Sequence, residues 1–350
     1  MAITEPAVAP DPALRQHGDT EARPGDLDFA VSVVPGPLRA GIQDTLAEVL
    51  AGAPVDRYPD ESGAIGALAR RHHRSPDEVL VLNGAAEGFW LLAGALRPRQ
   101  AVCVHPSFTE PEAALRAHGV RVERAWRRPP RWVLGPAAID PAADLVVTGN
   151  PNNPTGTMDG AASLAGLASA GRILVVDEAF MDLVDGPDAS LTTRSDLPGL
   201  VVVRSLTKVL GIPGIRAGYL LGPAWLVAAL REHRPPWSVG APALALLEAY
   251  GRGSFATQGI AAAVAVERAE LTAQLRGLPG VEVGDSAANF LLLRVPGGDV
   301  VWRALRARHI AVRRAVSFPG LTPDHLRVAV RTREDNQALV AALRAALAPS

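Results

Sequence analysis

Short apolar runs recur along the middle of this chain, and most are followed by a segment long enough to form a helix. Parallel strands need crossover connections of about a dozen residues or more, so this alternation predicts a mostly parallel sheet. The runs are apolar throughout, which indicates a sheet covered by helices on both faces. The predicted strands are residues 79–82, 101–104, 120–123, 145–148, 173–176, 200–203 and 217–221. We therefore predict an α/β fold with a mostly parallel central sheet and flanking helices.

The pattern changes after residue 235, where longer helical segments rich in alanine, leucine and arginine begin. Helices are predicted at 241–250, 257–275 and 334–347, the last capped by Thr332 with Asp335, and strands at 289–295, 310–312 and 326–330. This part of the chain is expected to form a smaller α+β C-terminal domain. We predict an N-terminal arm (1–27), a large domain (28–235) and a small domain (236–350).

Composition narrows the classes of partner. The net charge is −1 with acids and bases mixed along the chain, which favours a small-molecule substrate over nucleic acid. The arginine-rich residues 121–131, which contain Trp126 and are followed by Trp132, are interpreted as a solvated loop. A single cysteine, Cys103, excludes an intrachain disulfide and a paired-cysteine metal site, and it fits a cytoplasmic location. No run is apolar enough to cross a membrane, and the N-terminus lacks a signal-peptide pattern.

Lys208 follows the predicted strand 200–203 in a segment rich in glycine and hydroxyl groups, and Arg216 lies eight residues further on. An amine that forms a Schiff base beside a bound phosphate needs surroundings of this kind. Asn153 lies in the turn-rich loop 149–156, directly after a strand, and Asp177 ends the strand 173–176. Taken singly, Asn153 is better explained as part of an ordinary turn, and Asp177 as a capping residue, than as members of a ligand site. The ordered set, with Ser205, favours a ligand site at the carboxyl edge of the sheet.

This ordered set resembles the pyridoxal-phosphate-dependent aminotransferases of class I/II, which have fold type I. The branch that it resembles contains histidinol-phosphate aminotransferase and L-threonine-O-3-phosphate decarboxylase of cobalamin synthesis. The resemblance runs from about His17 to the C-terminus. It implies pyridoxal 5'-phosphate as the cofactor and a homodimer with a shared active site. It also implies that the N-terminal segment folds back onto the small domain.

The resemblance gives each matched residue a role. It makes Lys208 the catalytic amine and Asp177 the partner of the pyridine nitrogen. Asn153 would donate to the phenolic oxygen, and Phe108 would stack on the ring, although a plain core role suits Phe108 equally well. The remaining matches are Ala85, Ala86, Ser205 and Arg216 for the cofactor phosphate, Tyr58 for the phosphate of the neighbouring subunit, and Arg313 and Arg327 for the substrate.

The reaction type is open at this stage. Phe180 stands where many family members have tyrosine, so one hydrogen bond to the ring oxygen is absent. His17-Gly18 and the segments 177–180 and 329–332 favour the decarboxylase. An asparagine expected in that branch is absent, and Ser32 stands near its place, which weakens the preference. We place decarboxylation slightly ahead of amino transfer. A catalytically silent member of the fold is the remaining alternative, and the presence of Lys208 and Asp177 argues against it.

Overall fold

The computed structural model describes residues 11–36, 38–52, 56–135, 139–186 and 189–348. The part of the predicted arm before residue 11 lies outside these ranges. Within them the strands are β1 (Leu27–Asp28), β2 (Val79–Asn83), β3 (Gln100–His105), β4 (Arg121–Trp126), β5 (Leu145–Gly149), β6 (Ile173–Asp177), β7 (Leu200–Ser205), β8 (Ala217–Leu221), β9 (Glu282–Val283), β10 (Phe290–Arg294), β11 (Ile310–Ala311), β12 (Arg313–Arg314) and β13 (His325–Ala329). The α-helices are α1 (Arg39–Ala51), α2 (Ser62–His72), α3 (Ala85–Leu96), α4 (Glu110–Ala117), α5 (Ala161–Ala165), α6 (Leu206–Val209), α7 (Ala224–Glu232), α8 (Ala241–Gly251), α9 (Thr257–Arg276), α10 (Gly298–Arg306) and α11 (Arg333–Leu347).

The central sheet has the strand order β2-β8-β7-β6-β5-β3-β4 among the described residues. All neighbouring strands are parallel except β8, which is antiparallel to both β7 and β2. The prediction of a mostly parallel sheet is therefore confirmed. Because β5, β6 and β7 run side by side in register, their last residues meet at one edge: Gly149 lies opposite Asp177, and Ser205 lies opposite Gly218.

Both faces of this sheet are covered. Val176 and Val202 pack into a core cluster on one face, whereas Val175 and Val201 pack into a second cluster on the other. All four side chains are fully buried. This burial explains why the strands are apolar throughout, as predicted for a sheet between two layers of helices.

The C-terminal part forms a smaller unit around an antiparallel sheet of order β12-β13-β10-β9 in the described chain. A third core cluster lies between this sheet and helices α10 and α11. Thr332 Oγ1 accepts a hydrogen bond from the backbone N–H of Asp335 at 3.2 Å, so the predicted cap of α11 is present. In the described ranges, no helix has the length and apolar character that a membrane crossing requires.

The packing of the cores differs from the predicted domain bounds in two places. Leu27–Asp28 pairs with Ile310–Ala311, and Phe29 is buried in the C-terminal core rather than in the large domain. Helix α9 begins in the core of the large sheet, where Val264 packs, and it ends in the C-terminal core, where Leu271 packs. The buried apolar residues of helix α8 all pack in the core of the large sheet. The packing thus divides the chain within α9 and not at residue 235; the domain limits themselves stay a prediction.

The interpretation of residues 121–131 as a solvated loop was wrong for 121–127, whereas residues 128–131 are exposed and form a turn. Arg121–Trp126 is an edge strand that pairs in parallel with β3. Arg127 is buried, and its guanidinium lies 2.6 Å from the Asp159 carboxylate and 2.9 Å from the Thr148 hydroxyl. Trp132 is buried as well. The arginine-rich composition hid this because a paired, buried arginine looks like a solvated one in the sequence.

Candidate active site

Two adjoining cavities open at the carboxyl edge of the central sheet, with volumes of about 510 Å³ and about 110 Å³. Every predicted site residue except Tyr58 borders one or both of them. The residues that border both are Ala86, Phe108, Asn153, Phe180, Thr207, Lys208 and Arg216. The smaller cavity also meets Ala85, Asp177 and Ser205, and the larger one meets Arg313 and Arg327. Residues separated by more than 200 positions in the sequence therefore converge on one site.

Lys208 lies on the short helix α6, which begins where β7 ends. Ser205 caps this helix by accepting a hydrogen bond from the backbone N–H of Thr207. Burial, together with the charges of the nearby Arg327 and Arg216, lowers the pKa of the Lys208 amine to about 8. A larger fraction of this amine is neutral near pH 8 than for an ordinary lysine, and only the neutral amine is a nucleophile.

Lys208 is also the only lysine in the 350 residues of the chain. Every other basic side chain apart from histidine is arginine, which stays protonated and cannot act as a nucleophilic amine. A chain that uses arginine everywhere else, and lysine only beside this cavity, indicates a chemical need for the amine. This signal was present in the sequence, and our motif-based reasoning did not use it.

Asp177 is the last residue of β6 and faces the smaller cavity. Its Oδ1 accepts a hydrogen bond from the backbone N–H of Ala179 at 3.0 Å. Burial raises the pKa of the Asp177 carboxyl to about 6, while the Ala179 N–H and the Lys208 ammonium oppose this rise. At neutral pH the carboxylate is mostly ionised, although the half-buried side chain has less water around it than an exposed carboxylate. It is therefore suited to pair with a cationic partner such as a protonated ring nitrogen.

The turn between β2 and α3 forms a concave surface beside Arg216. Gly84 precedes α3 with φ +79° and ψ 152°, a conformation that is essentially restricted to glycine. A Cβ atom at this position would collide with the Arg216 guanidinium. Ala85 and Ala86 are the first residues of the helix, where backbone N–H groups lack intrahelical partners. The helix dipole and Arg216 both favour an anion at this point.

Asn153 is positioned by its neighbours in the loop after β5. Arg327 Nη1 donates to Asn153 Oδ1, which leaves the Asn153 amide nitrogen as the donor at the cavity. The preceding residue anchors the loop, because Asn152 Nδ2 donates to the carbonyl of Pro106 at 2.9 Å and to Thr155 Oγ1 at 2.8 Å. Arg327 therefore fixes the orientation of the predicted ring-oxygen donor.

Aromatic rings line two sides of the site. Phe108 is half-buried, and its ring centroid lies 6.4 Å from that of Phe89. The Phe180 ring lies 5.7 Å from Lys208 Nζ and packs edge-on against Phe290 at 4.9 Å. Phenylalanine has no hydroxyl to donate at this point, so Asn153 is the matched donor to a ring oxygen.

Arg327 and Arg313 differ in what they already bind. Arg327 Nη2 donates to the carbonyl of Ala30 at 2.6 Å, and its Nε lacks a hydrogen-bond partner in the described residues. Burial, together with the charge of the nearby Arg313, lowers the pKa of the Arg327 guanidinium to about 9. Arg313 instead holds the N-terminal segment, because it donates to the carbonyl of His17 at 3.2 Å and pairs with Glu21 at 3.3 Å.

The N-terminal segment lines the larger cavity, and the site-residue prediction did not include it. Gln16, His17, Gly18 and Asp19 border the cavity opposite Lys208. The His17-Gly18 pair was the available signal, but it pointed to a branch of the family rather than to a position in the site. Ser32 also borders the cavity; it is buried, and its hydroxyl lacks a hydrogen-bond partner in the part of the chain that the structure describes.

Tyr58 is the predicted site residue that lies elsewhere. Its side chain is 75% exposed and stacks on Trp237 with 4.2 Å between ring centroids. It does not border the cavities at the sheet edge. The role predicted for Tyr58 in the site of a neighbouring subunit stays a prediction.

A further cavity, of about 470 Å³, lies at the amino edge of the same sheet, next to Leu145, Ile173 and Leu200. Two arginines border it, and both are engaged: Arg74 donates to Glu78 and to the carbonyl of Thr192, and Arg172 donates to four backbone carbonyls. Ligands of open α/β sheets bind at the carboxyl edge, so the candidate site is the cavity beside Lys208.

The groups at the carboxyl edge fit pyridoxal phosphate. The N-terminus of α3, the Ser205 hydroxyl and Arg216 suit the phosphate, and the Asp177 carboxylate suits the pyridine nitrogen. The Lys208 amine would suit the aldehyde, and the Asn153 amide would suit the phenolic oxygen. Each polar group of the cofactor thus has a complementary group at this edge.

Comparison with known proteins agrees with this arrangement. Residues 28–343 match the family described as aminotransferase class I and II. A Mycobacterium bovis protein named as a histidinol-phosphate aminotransferase is 42% identical over 339 residues, covering 94% of this chain and 90% of the relative. The threonine-phosphate decarboxylase of Salmonella typhimurium is 33% identical over 330 residues, covering 91% of this chain and 90% of the relative.

The fold comparison gives the same result. The crystal structure of histidinol-phosphate aminotransferase from Clostridium acetobutylicum superposes with a TM-score of 0.82, at 22% identity, over 91% of this chain and 98% of the other. At this identity the match supports the fold alone. Together with the family match and the two relatives, it means that the chain belongs to the class I and II aminotransferases, whose members use pyridoxal phosphate.

Proposed function

We propose that this chain is a pyridoxal-phosphate-dependent enzyme that acts on a small phosphorylated amino substrate, and that its reaction is the decarboxylation of L-threonine O-3-phosphate. The observation that carries the proposal is the only lysine of the chain, Lys208, beside Asp177 at the carboxyl edge of the sheet. Bound pyridoxal phosphate supplies an electron sink for the pair of electrons left when a bond to the substrate's Cα breaks.

The reaction type is supported by the basic side chains at the larger cavity. Arg327, Arg313 and His17 border it in addition to the residues proposed for the cofactor. L-threonine phosphate has two anionic groups, a phosphate and a carboxylate, whereas the phosphate is the single anionic group of histidinol phosphate. More N–H donors at the cavity suit the substrate with two anionic groups.

The protein groups have separate tasks in this proposal. Arg327 has no carboxylate partner among the described residues and is the guanidinium available to a substrate anion. Arg313 shares its donors with the N-terminal segment, so its contact with the substrate is the weaker part of the prediction. The Lys208 amine returns a proton to Cα after carbon dioxide leaves.

Amino transfer of the histidinol-phosphate type is the second candidate. A specific observation favours it, because the relative at 42% identity is named for that activity. A catalytically silent member of the fold is the third candidate, and it would leave the retained Lys208, Asp177, Asn153 and Arg216 without a use. A place in cobalamin synthesis and a cytoplasmic location follow from the resemblance and the single cysteine, and both stay predictions.

One experiment separates the candidates. The purified holoenzyme is incubated with L-threonine phosphate alone, and separately with histidinol phosphate plus 2-oxoglutarate. The products are identified by mass spectrometry. Carbon dioxide and the corresponding amine from the first incubation, with no 2-oxo acid required, support the decarboxylase. Glutamate and an oxo product from the second incubation alone establish amino transfer. No product from either incubation removes the proposed substrate class.

We further propose a homodimer in which Tyr58 reaches the cofactor phosphate of the partner subunit. Support comes from its exposed position outside the cavities of its own chain, and from the resemblance that assigns it this task. The mixing experiment described in the Discussion tests this arrangement.

A further inference from the structure

The segment from residue 14 to residue 19 joins the two units of the protein at the larger cavity. On the side of the small unit, Arg313 donates to the carbonyls of Gln16 and His17. On the side of the large sheet, Thr109 Oγ1 donates to the carbonyl of Leu14 at 2.7 Å. These bonds hold the backbone of the segment and leave the side chain of His17 to be fixed by another group.

Glu110, the first residue of α4, is that group. Its side chain is 9% exposed, and its carboxylate meets three nitrogen-bearing side chains. Oε1 accepts from Trp90 Nε1 at 2.9 Å and from Arg15 Nη1 at 3.0 Å, and Oε2 lies 3.1 Å from His17 Nε2. Burial alone would raise the pKa of Glu110, but the hydrogen bonds from His17 and Trp90 and the charge of Arg15 lower it below its ordinary value.

The consequence for His17 is a fixed ring. Its Nε2 is committed to Glu110, and its ring centroid lies 5.8 Å from that of Phe108, which borders the same cavity. A buried carboxylate in a cavity that accepts anions would repel the substrate if it stood alone. Arg15 supplies the counter-charge and His17 and Trp90 supply hydrogen-bonding nitrogens, so the Glu110 carboxylate is not a free negative charge at the cavity.

We propose that Glu110 is a positioning residue for the substrate: it fixes the His17 imidazole at the cavity, where the imidazole contacts an anionic group of the substrate. The contact between the imidazole and a substrate anion rests on the proposed function. The restraint that Glu110 places on His17, and so on residues 14–19, does not depend on it. Glu110 borders the larger cavity, and in this proposal it acts through His17 and not on the reacting atoms.

The first test replaces Glu110 by glutamine in the holoenzyme. The amide has one acceptor oxygen, which stays with Trp90 and Arg15, so His17 loses its charged acceptor while the backbone bonds from Arg313 and Thr109 remain. KM for the anionic substrate rises about tenfold, the loss expected for one charge-assisted hydrogen bond, while kcat and the cofactor content stay within about twofold. A purely structural role would lower the yield or the thermal midpoint and leave KM unchanged, and that result overturns the proposal.

Double variants show whether Glu110 acts through His17. In a His17→Asn background, Glu110→Gln adds less than about twofold to KM, because the side chain that it positions is already lost. In an Arg15→Ala background the increase persists. If Glu110→Gln still raises KM about tenfold in the His17→Asn background, the proposal is contradicted. The matched control is Glu123→Gln, since Glu123 is a partly exposed carboxylate that pairs with Arg121 at 2.7 Å and does not border the cavity; this change leaves KM unaltered.

A second measurement does not depend on the substrate. Hydrogen–deuterium exchange of the peptide that covers residues 11–22, in holoenzyme without substrate, is faster in Glu110→Gln than in the unaltered protein. Equal exchange rates in the two proteins would contradict the restraint of this segment by Glu110. If the unaltered protein turns over neither substrate, the proposed function fails, and calorimetric binding of inorganic phosphate to the holoenzyme replaces KM. About tenfold weaker binding by the variant then supports the role of Glu110, and equal binding overturns it.

Discussion

Replacing Gly84 by alanine tests whether the turn before α3 holds the cofactor phosphate. Gly84 has φ +79° and ψ 152°, so an alanine there strains the backbone by about 1–3 kcal/mol. In addition, its Cβ atom would occupy the space of the Arg216 guanidinium and displace it from the turn. Losing one charge-assisted hydrogen bond to phosphate costs about 1.5–3 kcal/mol, so the Kd for pyridoxal phosphate is expected to rise roughly 10- to 150-fold.

The assay is titration of apoenzyme with pyridoxal phosphate, followed by the absorbance of the bound cofactor. Gly119→Ala is the matched control, because Gly119 also has a positive φ, +75°, and an added Cβ atom there would meet nothing within 4 Å. The control is expected to lose stability without losing affinity for the cofactor. Unchanged affinity in Gly84→Ala, at a stability loss similar to that of the control, would refute the assignment of this turn to the phosphate.

Four further outcomes are expected. Asp177→Asn retains the cofactor but loses several orders of magnitude in turnover, because the electron sink loses its counter-ion; unchanged kcat would make Asp177 structural. Arg327→Lys lowers kcat/KM at least about tenfold, since an ammonium cannot reproduce the two-pronged contact with an anion, and equal kinetics would remove Arg327 from the substrate site. Tyr58→Phe weakens cofactor binding about tenfold or more, and mixing it with Lys208→Ala restores activity if the site is shared; no recovery on mixing places both residues in one chain's site. Because the pKa of Lys208 is lowered to about 8, the rate of cofactor attachment to apoenzyme rises with pH and levels off above about pH 8; a rise that continues towards pH 10.5 contradicts this shift.

Local sequence patterns predicted most of the large sheet. The runs at 145–148, 173–176 and 200–203 are apolar because helices bury both faces of the sheet, and that burial leaves a clear pattern in the sequence. The site residues at the ends of these strands could be predicted for the same reason, since parallel strands end at one edge. The sheet brings Asn153, Asp177 and Lys208 to one cavity.

The features that the sequence did not predict depend on contacts between distant residues. Arg313 binds the carbonyl of Gln16 across 297 positions, and Glu110 binds His17 across 93, so no short pattern records either pair. Helix α9 passes from one core to the other without a break in its own pattern, so the change of composition at residue 235 does not record where the packing changes. Arg127 appeared solvated because its partner, Asp159, lies 32 positions away.

The most direct test of the account is the identity of the residue that binds the cofactor. The holoenzyme is reduced with borohydride and digested, and the peptides are weighed by mass spectrometry. Because the chain has one lysine, the account predicts that the added mass of the reduced cofactor appears on the peptide that contains Lys208, and that Lys208→Ala carries no added mass. An unmodified Lys208 peptide from protein that binds pyridoxal phosphate and turns over substrate would contradict the account.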